Sequence, residues 1–201
     1  MFRVKTVKSN MIHNIRSPYD FIARPVGGKR YNNTKEMSGV DVIVSTSEED
    51  HRFANREAKV FKTPIGYRGP ISEGDILLCH HNTFKIYNDV KGRRKSGRSF
   101  FQDDLFFIEN DQFFMYKKDG VWNAHSKYCF VRPVPLEESY IHKNSKYEPL
   151  IGEMVYPNEY LKSKGVKSGD RVVFKPDSEY EFTVDGEVLY RMFDHQITVV
   201  L

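Results

Sequence analysis

The chain has 201 residues, with 31 Lys and Arg against 27 Asp and Glu and a net charge of +4. These charges are spread along the sequence rather than gathered in blocks, which favours solubility and indicates no strongly charged partner. No stretch approaches the roughly 18 apolar residues of a membrane-spanning helix, and the start lacks the apolar segment of a signal peptide. We therefore expect a cytoplasmic protein with no membrane partner.

In chain order, short runs rich in Val, Ile, Phe and Tyr alternate with clusters of Gly, Pro, Asn and Asp, which is typical of β-strands and turns. The first 120 residues contain these predicted strands: Phe21–Arg24, Val40–Ser45, Ala58–Thr63, Ile76–His80, Phe84–Tyr87, Leu105–Glu109 and Gln112–Lys117. Asn110-Asp111 separates the last two and predicts a hairpin turn. Because no long segment keeps an apolar helical stripe, the predicted fold class is all-β.

The rest of the chain continues the same pattern. Its predicted strands are Tyr128–Val131, Glu153–Tyr156, Arg171–Lys175, Glu179–Val184, Glu187–Met192 and Ile197–Leu201. Asp185-Gly186 is a preferred pair for a two-residue type I′ turn, since both central positions need a positive φ. A tight hairpin is therefore predicted between Val184 and Glu187.

Nothing in the sequence indicates enzymatic chemistry. Cys79 and Cys129 lie in apolar strand-like runs without metal-ligand spacing, so we interpret them as buried free thiols in a reducing compartment. His80-His81 has no carboxylate or cysteine at ligand spacing and is interpreted as structural. Nucleotide-binding, hydrolase and zinc-protease motifs are missing, so we expect no catalytic residue, no metal and no cofactor.

The two halves contain matching segments. Phe21-Ile22-Ala23-Arg24-Pro25-Val26 matches Cys129-Phe130-Val131-Arg132-Pro133-Val134, and Ile71–Leu78 matches Val166–Val173 around a shared Gly-Asp pair. Matching Val60 to Val155 leaves 36 positions after Arg24 but 23 after Arg132, so the first half has 13 more residues there. We interpret the first-half segment near 29–56 as a long loop in which function is concentrated.

The order of these segments resembles the GroES-type co-chaperonins of the chaperonin-10 family. Ser17–Pro25 is similar to the family's opening strand, and Gly165–Phe174, Glu179–Met192 and Ile197–Val200 are similar to its closing half. The resemblance covers residues 15–109 and 124–201 and implies two tandem GroES-like, partly closed β-barrels, at 1–120 and 121–201. Tandem barrels are similar to plastid co-chaperonins, and long loops to phage-encoded ones, for which the site of action would be the host cytoplasm.

The resemblance also implies a function. In the family, a loop after the first strand carries an apolar tripeptide that binds the apical domains of a GroEL-type chaperonin ring. Ser38–Ser47 is similar to that loop, which makes Val42, Ile43 and Val44 the candidate chaperonin-binding residues. The expected protein is a non-enzymatic, homo-oligomeric cap that helps unfolded substrate proteins fold, while the ring hydrolyses ATP.

Three alternatives remain open. Val40–Val44 could be an ordinary strand that packs on the first barrel. The basic segment 91–98 is flanked by Phe84, Tyr87, Phe100 and Phe101, so a nucleic-acid-binding module would use Arg93, Arg94, Lys95 and Arg98; the co-chaperonin hypothesis expects no nucleic acid. The third is a structural subunit whose loops only mediate assembly.

Overall fold

The computed structural model describes residues 14–31, 53–136 and 147–201 in full, and the segments 34–37 and 40–43 as backbone. The strands are β1 Phe21–Pro25, β2 Thr34–Met37, β3 Val40–Ile43, β4 Glu57–Lys62, β5 Ile76–Cys79, β6 Ile86–Asn88, β7 Arg94–Ser96, β8 Phe100–Gln102, β9 Leu105–Ile108, β10 Phe113–Lys118, β11 Val121–Ala124, β12 Tyr128–Pro135, β13 Tyr147–Tyr156, β14 Arg171–Phe174, β15 Tyr180–Val184, β16 Glu187–Phe193 and β17 Ile197–Val200. One short helix, α1, spans Glu159–Ser163. The predicted all-β class is confirmed.

The chain divides into two compact units, Met1–Asp119 and Gly120–Leu201. The boundary expected from the sequence, between 120 and 121, lies one residue away. In the first unit the strands of the main sheet have the order β10-β5-β4-β1-β9-β8. The second unit is built on one sheet of order β15-β16-β12-β13-β14-β17.

The two units share one topology. If the six main strands of each unit are numbered along the chain, both sheets have the order 6-3-2-1-5-4, and the pairings are antiparallel. The first strand also has an irregularity at the same place in both units, between Ile22 and Ala23 and between Phe130 and Val131. A shared bulge is a specific feature of a strand, so it indicates a structural repeat.

The turn into the third strand is also the same in both units. Gly74 and Gly169 have φ of 98° and 92°, a conformation that glycine adopts without the steric cost other residues meet. The carboxylate of Asp75 accepts a hydrogen bond from the Ser72 amide at 2.8 Å, and Asp170 does the same for Lys167 at 2.8 Å. The Gly-Asp signature that marked the repeat in the sequence therefore builds equivalent turns.

Pairing in the sheets corrects the sequence match at one position. Ala23 pairs with Val60 and Val131 pairs with Met154, so the equivalent of Val60 is Met154 and not Val155. The second unit has one more residue before its Gly-Asp turn, in the segment that forms α1. The first-unit loop is thus longer by fourteen residues, since Val60 lies 36 positions after Arg24 and Met154 lies 22 after Arg132.

A second correction concerns the hairpins. Asp185-Gly186 joins β15 to β16 with φ of 48° and 86°, as predicted. The predicted hairpin at Asn110-Asp111 is wrong, because β9 pairs with β1 and β8 while β10 pairs with β5. The segment instead crosses from one side of the sheet to the other, and the first unit's counterpart of the Asp185-Gly186 turn is Asp103-Asp104, between β8 and β9.

The cores lie on equivalent strands of the two units. The first unit buries a cluster rich in aromatic rings. The ring centres of Phe21 and Phe113 are 5.6 Å apart and those of Phe84 and Phe106 are 4.8 Å apart, and both pairs are in edge-to-face contact. The second unit buries a smaller, aliphatic and sulfur-containing cluster that includes Val131, Met154 and Met192. Neither sheet closes into a barrel in the part of the chain that the structure describes, so GroES-like barrels stay a prediction.

Candidate functional site

Both large insertions of the first unit leave the sheet at the same edge. β1 and β5 both run antiparallel to β4 and therefore parallel to each other. Their carboxyl ends, Pro25 and Cys79, thus lie at the same end of the sheet's strands. The long loop follows Pro25, and a hairpin made of β6 and β7 follows Cys79. The hairpin is also specific to this unit: Gln102 lies 23 positions after Cys79, whereas its counterpart Val184 lies 10 after Phe174.

Four residues close the base of the long loop through hydrogen bonds between its two ends. We call them the neck: Arg30, Tyr31, Ala54 and Asn55. Tyr31 and Ala54 form an antiparallel bridge, and the Asn55 amide donates to the carbonyl of Arg30 at 2.9 Å. Each such bond contributes roughly 0.5–1.5 kcal/mol. The neck therefore holds the entering and leaving chains side by side.

Asn55 is the central residue of the neck. Its side chain is 3% exposed, and its Nδ2 donates to the carbonyls of Val26 and Lys29, both at 2.8 Å. Its Oδ1 accepts from the amide of Glu57 at 2.9 Å. One buried amide thus joins both ends of the loop, and losing it would leave buried main-chain groups unsatisfied.

The neck is joined to the β6–β7 hairpin. The guanidinium of Arg30 donates to Oγ of Ser96 at 3.0 and 3.1 Å, and the Ile86 amide donates to the Tyr31 hydroxyl at 2.9 Å. Tyr31, Ala54 and Ile86 also form a small apolar cluster with Phe53. The loop base and the hairpin therefore form one packed assembly.

Arg30 further fixes this assembly to the sheet. Its guanidinium lies 5.0 Å from the centre of the Phe100 ring and 4.7 Å from that of Phe106, which places a cation over two aromatic faces. Contacts of this kind contribute about 0.5–2 kcal/mol, depending on their burial. A residue that the sequence placed in a polar loop thus joins the loop, the hairpin and the core.

The predicted apolar tripeptide lies beyond the neck. Val42 and Ile43 belong to β3, which pairs with β2 in a two-stranded sheet of its own, with Lys35 opposite Val42 and Thr34 opposite Ile43. Val44 lies outside the described residues. Val40–Ile43 does form a strand, as the alternative of an ordinary strand requires, and among the described residues this strand pairs with β2. Its packing on a first barrel stays a prediction.

The predicted basic residues lie on or next to the β6–β7 hairpin. Asp89 organises the tip, because its Oδ1 accepts from the amides of Lys91 and Arg93, both at 2.9 Å. Arg93 and Arg94 are exposed, and Lys95 is half-buried within β7. Arg98 lies outside the strand and forms an ion pair with Glu109 at 3.1 Å. Three of the four predicted cations are therefore brought together, and the fourth has a partner within the unit.

The aromatic rings expected beside these cations are largely occupied. Phe84 is fully buried, and Phe101 packs on Phe107 with ring centres 4.8 Å apart. Phe100 carries Arg30 on its face, which leaves Tyr87, 42% exposed, as the most accessible of the four rings. Because stacking on single-stranded bases needs open ring faces, this arrangement provides a poor platform for nucleic acid.

Arg30, Tyr31, Asn55 and Ser96 are the site residues that the sequence did not indicate. The partners that join these residues across the neck and to the hairpin are 23 to 66 positions away along the chain, so no local pattern marks them. Asn is common in turns because its side chain bonds nearby main-chain groups, and that preference is the one weak signal at Asn55. The neck is a product of the tertiary fold.

Other candidate chemistry is limited. Burial raises the pKa of the Cys79 thiol and raises that of Cys129 to about 12, so both thiols stay protonated at neutral pH. Both are free and buried, as predicted. Among the residues that the structure describes, no three His, Cys, Asp or Glu side chains come together as a metal site, and no helix there could span a membrane.

The second unit contains a cavity of about 420 Å³ between β11 and the segment around α1. Its walls are mainly apolar and include Trp122, Val155 and Val166. The indole of Trp122 donates to the Asp185 carboxylate at 3.0 Å, which fixes the ring in place. No charged group is buried in these walls, so the cavity suggests no reaction.

No model of a known protein family matches the chain, and no curated protein matches its sequence. The resemblance to co-chaperonins therefore depends on the sequence segments quoted above.

Proposed function

We propose that this protein is a co-chaperonin that caps an ATP-dependent chaperonin ring through the long loop of its first unit. The observation that carries the proposal is the contrast between the units. The same six-strand topology occurs twice, the first unit has the longer loop, and among the described residues that loop is closed at its base by the hydrogen bonds of the neck. In the sequence, Val42, Ile43 and Val44 belong to that loop. ATP hydrolysis belongs to the partner.

The physics of the loop supports this function. Three adjacent β-branched apolar residues in a polar surround suit docking into an apolar groove on another protein. Ordering such a loop costs about 1–2 kcal/mol per fixed residue, so one loop binds weakly. A ring of identical chains gains by multivalency and can still release when the partner changes state.

The test is the substitution Ile43→Asp. We expect it to remove ATP-dependent co-sedimentation with a purified bacterial GroEL-type ring, because a charge in the apolar contact costs several kcal/mol when it is desolvated. The matched control is Ile141→Asp, which makes the same change in the corresponding loop of the second unit and should bind as the parent does. Equal binding by all three proteins would refute the proposal.

A further inference from the structure

The β6–β7 hairpin lies beside the neck and is rich in cations, and the proposed function gives it no role. The β6–β7 hairpin carries Lys91, Arg93, Arg94 and Lys95 within five positions, against Asp89 at the start of its turn. The Asp89 carboxylate accepts two main-chain hydrogen bonds inside the turn, so it is directed inward rather than towards a partner. Lys91 and Arg93 are exposed at the tip.

We propose that this hairpin is a second docking element, which binds an acidic surface of the same ring that the loop engages. This inference rests on the proposed function. The hairpin contacts the loop base directly, through the Arg30–Ser96 and Tyr31–Ile86 hydrogen bonds, so a ring that captures the loop comes close to the hairpin. Val90, fully exposed between the cations, adds an apolar contact at the tip.

The structure favours an acidic protein surface over single-stranded nucleic acid as the partner. Single-stranded nucleic acid is bound by cations together with open aromatic faces. Here the faces of Phe100 and Phe101 are covered by Arg30 and Phe107, and Phe84 is buried. Cations on a well-ordered turn with few open rings suit carboxylates, which need charge and hydrogen-bond donors but no stacking.

The two elements have different physical roles. The loop provides apolar affinity at the cost of ordering its chain, whereas the hairpin is already folded and loses little freedom on binding. Exposed cations act mainly on the association rate, because they steer the encounter, and salt screens that effect. The hairpin therefore brings the loop to the ring, and the loop then holds it.

The experiment measures association of the full chain with a purified bacterial GroEL-type ring in the presence of ATP, by stopped-flow at low and high salt. The variant is Lys91→Glu with Arg93→Glu, and the control is Lys167→Glu with Lys175→Glu, which makes the same net charge change at exposed sites of the second unit. We expect the hairpin variant to associate about tenfold more slowly at low salt and nearly normally at high salt. The control should change by less than about twofold.

The outcomes separate this inference from the proposed function. If Ile43→Asp removes binding but the hairpin variant and the control associate equally fast, the hairpin role is refuted and the co-chaperonin function stands. If Ile43→Asp has no effect, the proposed function fails. If the parent binds a fluorescent oligo-dT in low salt, and only the hairpin variant loses that binding while its association with the ring is unchanged, the hairpin binds nucleic acid and the inference is overturned.

Discussion

The first and second units have the same strand order, the same bulge and the same Gly-Asp turn, yet they differ at one edge of the sheet. The connections there have fewer residues in the second unit, whereas the first unit has the long loop and the β6–β7 hairpin. Hydrogen bonds of Arg30, Tyr31 and Asn55 join the base of that loop and link it to the hairpin. The same sheet topology is thus kept in both units, and one of them has the loop and the hairpin in addition. The shared strands and turns hold each sheet together, and the activity that we propose uses the insertions that the first unit has in addition.

The largest expected difference between the units is the loss of unfolding free energy when a core side chain is truncated. Phe113 and Ile197 are equivalent, since each begins its strand after a glutamine whose side chain accepts from the main chain three positions earlier. Phe113 is fully buried, while Ile197 is only half-buried on an edge strand. We expect Phe113→Ala to cost about 3–5 kcal/mol of unfolding free energy and Ile197→Ala less than about 2 kcal/mol, measured by urea denaturation. Equal losses would contradict the expectation that the difference in burial between these two equivalent positions decides the cost.

A smaller effect on stability is expected at two paired positions where the units have different side chains. The first unit has Ala23 and Ala58 where the second has Val131 and Gly152. A Cβ on Gly152 would overlap Cγ1 of Val131 and would lie 2.8 Å from the Arg132 carbonyl oxygen. Gly152→Ala should therefore lower the unfolding free energy by about 1–3 kcal/mol.

The double variant Val131→Ala with Gly152→Ala, which copies the first unit, provides the control. It removes the side-chain overlap and leaves the contact with the carbonyl, so thermal unfolding should show that the double variant loses less than the sum of the two single variants. Additive losses would show that the two positions do not compensate each other.

The smallest expected effect is at the shared Gly-Asp turns. Asp75→Ala and Asp170→Ala each remove one hydrogen bond of 2.8 Å that an exposed main-chain amide donates to the carboxylate. Each should cost about 1 kcal/mol, because water can replace the lost partner. Calorimetry on the two single variants should give nearly equal shifts, and a loss confined to one unit would show that the turns are not energetically equivalent.

Local signals predicted the elements whose geometry is local. Asp185-Gly186 demands positive φ at both positions and forms the predicted hairpin, whereas Asn110-Asp111 has similar composition and crosses the sheet. The difference lies in the strands that β9 and β10 find as partners, which a turn of two residues does not encode. The short strands β2, β7, β8 and β11 and the equivalence of Val60 with Met154 were missed for the same reason.

By itself, the sequence determined the all-β class, the repeat and its Gly-Asp turns, because strand periodicity and turn residues act over a few positions. It also indicated which half carries the longer loop. Only the tertiary structure decided how that loop is held. Asn55, Arg30 and Ser96 meet across tens of residues, and such contacts arise from the strand order, which brings the carboxyl ends of β1 and β5 to one edge.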